Sequence, residues 1–304
     1  MSFSSIEGSS HAWVHASPFG EEEESALRAR FKFHSLDYED VRQDAELPKI
    51  DEYIHYVMVV LPLPFYHVES RVLSSRNLTL FLAGDATVTA SVYPIPSVDR
   101  LFDRVRRHAA ARRDILDAPI GTVAHRVLEA VFKETGGVLE SLMREARELE
   151  GQVYESGSRE TTKRLGFLRR NVLRVKHLLD PQRRIIRHLG DLKRPFLPED
   201  MRVYFENIED TLDGYGVILA NLQATVDGLF EINETFLAYR TNDTVRALTV
   251  ISVILLLPTL ITSFYGMNVD RLPFVHHPSV VIGIITCGLV MGLIGIFFLI
   301  RPRR

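Results

Sequence analysis

Apolar and polar positions follow three successive rhythms along this chain, and each predicts a different kind of element. Up to Tyr93 the apolar residues come in short, β-branched or aromatic runs, at Trp13-Val14-His15, Tyr53–Leu61, Asn77–Ala83 and Thr87–Tyr93, which read as strands. Gly84-Asp85 supplies a turn between the last two, and Pro62 and Pro64 break the run before them. Ser17-Pro18 is a helix entry that brings Glu21–Glu24 near a helix N-terminus, where carboxylates are favoured, although a solvated acidic face is the simpler account of that run. Residues 1–11, rich in Ser and Gly, are expected without fixed structure. A mixed sheet with helices is therefore expected over 12–97.

From Ser97 the period becomes helical. Val98–Leu116 reads as one helix and Pro119–Glu155 as a longer one with a weak point at Gly136-Gly137. Ser156-Gly157-Ser158 turns the chain, and Arg159–Leu189 returns antiparallel until Gly190, Pro195 and Pro198 end it. These helices make up 98–197, with a hairpin over 119–190. The returning helix is basic, with Arg164, Arg169, Arg174, Arg183 and Arg187 among its cations. It can touch anionic headgroups, or pair with Glu140, Glu145, Glu148 and Glu150 of the preceding helix, which is the simpler reading.

The third rhythm opens at Pro198-Glu199-Asp200 and meets no proline until Pro258. Phe205, Ile208, Leu212, Tyr215, Leu219, Leu222, Val226, Leu229 and Phe236 recur at spacings of three and four, with Asn233 the one polar member. That is a sustained heptad seam. A helix from about 200 to 264 is roughly 100 Å long at 1.5 Å per residue and needs partners on several sides.

Its last part, Ala247–Phe264, carries no charge, and neither does Ser279–Ile300. A charge-free apolar run of about 18 residues or more is a transmembrane candidate. Two such spans, 247–264 and 279–300, joined by a loop over 265–278, form a hairpin whose ends lie on one side. Within the first span Thr249, Ser252, Leu256, Thr259 and Ser263 fall on one face, and the stripe continues back through Val245, Asn242, Ala238, Thr235 and Glu231. Small and polar groups on a membrane helix serve either close helix packing or a water-filled path.

Composition narrows the class. With 304 residues, 46% hydrophobic and 25% charged at a net charge of -3, the membrane part is a minority beside a large soluble part, and nucleic acid is not an expected partner. The single Cys287 lies in the second apolar run, so no disulfide framework or cysteine zinc site is available. The first residues lack a basic stretch followed by an apolar core, so no cleaved signal is expected. Arg240 and Arg246 precede the first span, and Arg301, Arg303 and Arg304 form a basic tail at 301–304. The loop holds only Asp270, Arg271, His276 and His277 as charged or titratable groups. The positive-inside rule then places both termini in the cytoplasm of a multi-pass protein of the cell membrane. No P-loop, nucleophile elbow or zinc-hydrolase motif occurs, which argues against an enzyme and against ATP-driven pumping.

Tyr265-Gly266-Met267-Asn268 sits where the first span ends. Taken alone, Gly266 is an ordinary helix terminator. Between two C-terminal spans, however, this tetrapeptide resembles the signature of the CorA family of divalent-cation channels. Phe33-His34-Ser35-Leu36-Asp37-Tyr38-Glu39-Asp40-Val41, followed by Pro48-Lys49-Ile50-Asp51-Glu52-Tyr53, looks like that family's N-terminal pattern.

The resemblance implies an α+β membrane protein. It has an N-terminal cytoplasmic α/β/α domain, a long helical hairpin, and a stalk helix over 198–264 that continues into the first of two C-terminal spans. Five copies would form a homopentameric funnel. It implies pore-lining roles for Asn242, Leu248, Leu256, Thr259 and Asn268, where the stripe prefers Thr249 to Leu248. Gly266, Met267 and Asn268 would select the ion, and Glu231 would sit in an acidic ring at the cytoplasmic mouth. Hydrated Mg²⁺ suits neutral oxygens, because it demands octahedral geometry and sheds water reluctantly; Leu248 and Leu256 rings could close by dewetting. The family's regulatory inter-subunit cation sites would use Glu39 and Asp40 on one side. The opposing aspartate falls on Asn207, next to Glu206, and the missing charge weakens feedback by Mg²⁺.

The expected cargo is Mg²⁺, with Co²⁺ or Ni²⁺ as further ions. A Zn²⁺ importer of the ZntB type, proton-coupled, is a second reading that His276 and His277 would serve, and Asp270 adds a cation-attracting charge in either case. A membrane-anchored sensor or scaffold that conducts nothing is the reading from another class. Expected partners are further copies of the chain, membrane lipids and divalent cations.

Overall fold

The structure, a computed structural model, describes residues 3–9, 11–43, 47–194, 201–267 and 277–300. The chain divides into two compact units, 1–156 with 160–231, and 157–159 with 232–304.

The first unit is built on six strands: β1 (Phe3–Glu7), β2 (Ala12–Ala16), β3 (Lys49–Glu52), β4 (Tyr56–His67), β5 (Val72–Ala83) and β6 (Ala86–Ala90). Their order is β1-β2-β6-β5-β4-β3, antiparallel except for the parallel pair β2 and β6. Helices α1 (Glu21–Arg30) and α2 (Ser35–Arg42) cover one face, where Leu27, Tyr38 and Val41 pack with Val14, Met58, Val60, Phe81 and Val88. On the other face Trp13 meets Phe102 of α3 (Pro96–Arg107) edge to face at 5.0 Å. β4 and β5 are thus covered on both faces, which is why they read as continuous apolar runs without alternation.

Four sequence expectations change here. Phe3–Glu7, expected without structure, pairs with β2 as an edge strand. Pro62 and Pro64 do not end a strand, because β4 runs on to His67. Among the described residues β3 pairs with β4 only as far as Val60, so a missing N–H beyond it costs no ladder bond there. The Pro62 carbonyl instead accepts from Gln182 Nε2 at 2.6 Å. The single helix expected over Val98–Leu116 is two, α3 and α4 (Ala109–Leu116), broken at an extended His108 that no Gly or Pro marks. Gly136 does not weaken α5 (Gly121–Ser156), which runs through it without a break.

α6 (Arg159–Asp191) follows α5 and contains Pro181. Its basic face is paired, but chiefly not with α5. Arg169 bonds Asp227 at 2.7 Å, Arg187 pairs with Glu209, and Arg183 with Asp213, all on α7 (Met201–Tyr265). Among the described residues only Arg164 reaches an acid of α5, Glu148, at 3.9 Å. Glu145 turns instead to Tyr66 at 2.6 Å and to Arg71 at 3.7 Å. The seam on α7 is buried at Phe205, Ile208, Leu212, Leu219, Leu222, Val226 and Leu229. Each fully buried side chain of this kind contributes about 1.5–3 kcal/mol.

In the second unit Asn233, wholly buried, donates to Ser158 O at 3.4 Å, and Arg240 Nη1 to Gly157 O at 2.8 Å. α8 (Pro278–Ile300) packs on α7 where Gly292 is buried; a Cβ there would stand 3.0 Å from Ile254 Cγ2. That close approach is a use of small residues between apolar helices.

Candidate pore helix and cation-binding positions

Among the described residues, α7 is the helix long and apolar enough to cross a membrane, and none of its most apolar window is buried. α8 spans 23 residues without a charge. Asn242, Val245, Leu248, Thr249, Ser252, Leu256, Thr259 and Ser263 all lie on α7 and are all exposed in the single chain, as is Glu231. Leu248 and Leu256 are exposed by 63% and 65%, so large apolar side chains and hydroxyls share an uncovered surface that requires lipid or other copies around it.

The hydroxyls do not need water. Thr249 donates to Val245 O at 2.9 Å, Ser252 to Leu248 O at 2.8 Å and Thr259 to Leu255 O at 2.7 Å, each four residues back. This back-bonding satisfies the proton within the helix and leaves the oxygen lone pairs outward. The stripe presents acceptors, which suit a hydrated cation, without the cost of orphan donors.

Gly266 N–H donates to Thr262 O at 2.9 Å, and among the described residues no glycine has positive φ. The helix ends at Tyr265 without the left-handed glycine that an ordinary terminator uses. Met267 is exposed. Asn268, Asp270 and His276 lie outside the described residues, and His277 is exposed just before α8.

The candidate regulatory residues are on two elements. Glu39 and Asp40 belong to α2, and Glu206 and Asn207 to α7. Glu206 bonds Arg202 at 2.8 Å. Asp40 bonds Lys49 Nζ at 2.6 Å, and the same ammonium reaches Asp51 at 2.7 Å. Asp37, Asp40 and Asp51 bring ligand oxygens within 4.8 Å of one another. Burial opposes the Lys49 charge, but the hydrogen bonds it donates to Asp40 and Asp51 outweigh that and push its pKa up. Fully buried Asp37 accepts from Tyr53 at 2.7 Å and from Tyr56 at 2.5 Å. Burial first, and this carboxylate second, push the Tyr53 phenol up to about 12.

A hard cation could take the place of the Lys49 ammonium among these oxygens. Asp37 and Asp51 had not been singled out from the sequence. The signal was present, since Asp37 and Asp40 are one turn apart on α2, and Lys49 and Asp51 share a face of β3.

The family model described as CorA-like Mg2+ transporter protein matches residues 8–304. The cobalt/magnesium transport protein CorA of Thermotoga maritima is 24% identical over 279 residues, 90% of this chain and 76% of that protein. The protein of the same name from Methanocaldococcus jannaschii is 22% identical over 272 residues, 88% of this chain and 83% of its own.

Among solved structures, the complete CorA magnesium transporter of Methanocaldococcus jannaschii superposes with a TM-score of 0.81 at 18% identity, over 97% of this chain and 92% of that one. The ZntB cytoplasmic domain of Vibrio parahaemolyticus reaches 0.61 at 9% identity, over 77% and 90%. At such identities these likenesses concern the fold. The family match, in contrast, runs through the sheet, the helical hairpin and both apolar helices, and this chain belongs to the CorA-like Mg2+ transporter family.

Proposed function

We propose that this chain is one protomer of a channel, assembled from five copies around α7, that passes hydrated Mg²⁺ into the cytoplasm down its electrochemical gradient. The observation that carries the reading is the exposed stripe from Asn242 to Ser263, which sets hydroxyl acceptors and leucines along a helix that is charge-free from Ala247 to Phe264. Neutral oxygens hold a hydrated dication without trapping it, whereas carboxylates at the same depth would slow its release. A ring of Asn268 side chains beyond Gly266-Met267 would select the ion, and rings of Leu248 and Leu256 would close the path by dewetting. A membrane potential contributes about 2.3 kcal/mol per elementary charge per 100 mV, and twice that for a dication, so inward flow needs no other energy source.

The protein would lie in the cell membrane with both termini cytoplasmic, α8 as a second span, and lipid against the outer faces of α7 and α8. Co²⁺ and Ni²⁺ are further ions of suitable size and ligand preference for the same path.

The test is uptake into proteoliposomes that hold a Mg²⁺-sensitive dye. Entry driven by potential alone supports the channel; absence of flux of any divalent ion would replace it with a membrane-anchored scaffold. The fold likeness to the ZntB cytoplasmic domain, together with His276-His277 before α8, favours one second reading, a Zn²⁺ importer. Zn²⁺ entry that rises with an imposed proton gradient would select it.

A further inference from the structure

A cavity of about 240 Å³ lies in the first unit, where β4 and β5 run past the end of β3 and meet the start of α3 and the middle of α5. Leu63, Ile95, Val131 and Val138 give it apolar walls. Its polar lining includes Tyr66, Ser97, Thr135 and Ser141, and two half-buried charged side chains, Arg76 from β5 and Glu134 from α5.

Each is held in position by a bond to backbone rather than to an opposite charge. Arg76 lies flat over the Phe65 ring at 3.7 Å and donates one N–H to Pro94 O at 2.6 Å. Glu134 Oε2 accepts from the Ser97 N–H of the first turn of α3 at 2.9 Å. Among the described residues neither forms an ion pair, whereas Arg126 pairs with Glu129 on α5 and Arg164 of α6 with Glu148.

A guanidinium fork with free N–H groups and a carboxylate with a free oxygen, set in one apolar cavity, have a common complement. It is a small zwitterion with an apolar body, which would offer a carboxylate to Arg76 and an ammonium to Glu134. A simple anion would meet the Glu134 charge, and a simple cation that of Arg76. The volume is below that of usual small-molecule pockets, which run from about 300 Å³ upward, so the ligand is no larger than a single amino acid.

We propose that this cavity binds an α-amino acid with an apolar side chain. The site is separate from the stripe on α7, and its test does not depend on transport. Detergent-solubilised full-length protein would be titrated calorimetrically with L-leucine, 4-methylpentanoate and isoamylamine.

Saturable binding of L-leucine is expected, with both singly charged analogues weaker on the order of 10-fold, the usual loss for a charged hydrogen-bond partner. Glu134→Gln keeps an acceptor for the Ser97 N–H and removes the charge. It should weaken L-leucine by a similar factor while leaving 4-methylpentanoate unchanged or tighter. Arg76→Met keeps an apolar stem over Phe65 and should abolish binding of both. Absence of saturable L-leucine binding, equal affinity for the three probes, or unchanged affinity in a folded Glu134→Gln protein would overturn the proposal.

Discussion

The hydroxyl of Tyr215 on α7 occupies the space that a side chain at Gly136 on α5 would need: a Cβ there would stand 2.7 Å from Tyr215 Oη. The same hydroxyl donates to Phe132 O at 2.8 Å, one helical turn before Gly136. The glycine that looked like a flaw in α5 is therefore the contact through which α7 comes close to it.

A double-mutant cycle tests that contact. Alone, Gly136→Ala should lower stability, because overfilling a packed site costs about 1–3 kcal/mol against a helix-propensity gain of about 1 kcal/mol. In a Tyr215→Phe background the obstruction is gone, and the same change should be neutral or stabilising. A coupling of about 1–2 kcal/mol is expected from urea titrations of the solubilised full chain. Additive effects would mean that the two residues do not share the space.

Acidification should destabilise the first unit. Burial holds the pKa of His125 below its ordinary 6.5, against a smaller opposing pull from Glu129. Burial also lowers that of His11, against Asp117. The unfolded chain therefore binds protons first, so this stability is present above 6.5 and is lost as pH falls through the folded values. Among the described residues His125 Nε2 is buried without a hydrogen-bond partner, so protonating the ring would bury an unpaired N–H. His125→Phe should flatten the fall in melting temperature between about pH 7 and 5. An unchanged slope would assign the dependence to other groups.

Asn268→Ala should abolish Mg²⁺ uptake while the assembly still elutes at the size of the native oligomer. In the proposed assembly, losing one amide from each copy would remove a whole ring of neutral oxygens from the path. Uptake at the native rate would remove Asn268 from the selectivity role.

If the proposed channel carries a regulatory site where Asn207 faces Glu39 and Asp40 of another copy, Asn207→Asp would add a charge to it and should make uptake more readily inhibited by cytoplasmic Mg²⁺. The Asp40 carboxylate already engages Lys49 at 2.6 Å, so Lys49→Met should shift inhibition in the same direction by freeing that oxygen. Dose–response currents that do not move with either change would mean that these positions do not gate.

Long-period features of this chain were legible from residue order. The seam from Phe205 to Leu229 is buried as its three-and-four spacing implied, because a helix face is set by residues within two turns of each other. The charge-free stretch of α7 and its stripe followed in the same way, from local composition and period. The resemblance to the family was legible from a local motif of that kind, Tyr265 to Asn268, and the family match extends over residues 8–304.

Partners distant along the chain were not legible. The cations of α6 chose Glu209, Asp213 and Asp227 of α7 over the acids of α5. Lys49 closed on Asp40 and Asp51, and β1 found β2 although its own residues carry little strand signal. Pro62 stayed inside β4 because, among the described residues, the pairing with β3 ends at Val60 and does not demand its N–H. The break at His108 and the stacking of Arg76 on Phe65 likewise depend on what other segments place beside them. A helix period is a property of the backbone, whereas a salt bridge, an open strand edge or a cavity exists only once segments far apart in sequence have been brought to the same place.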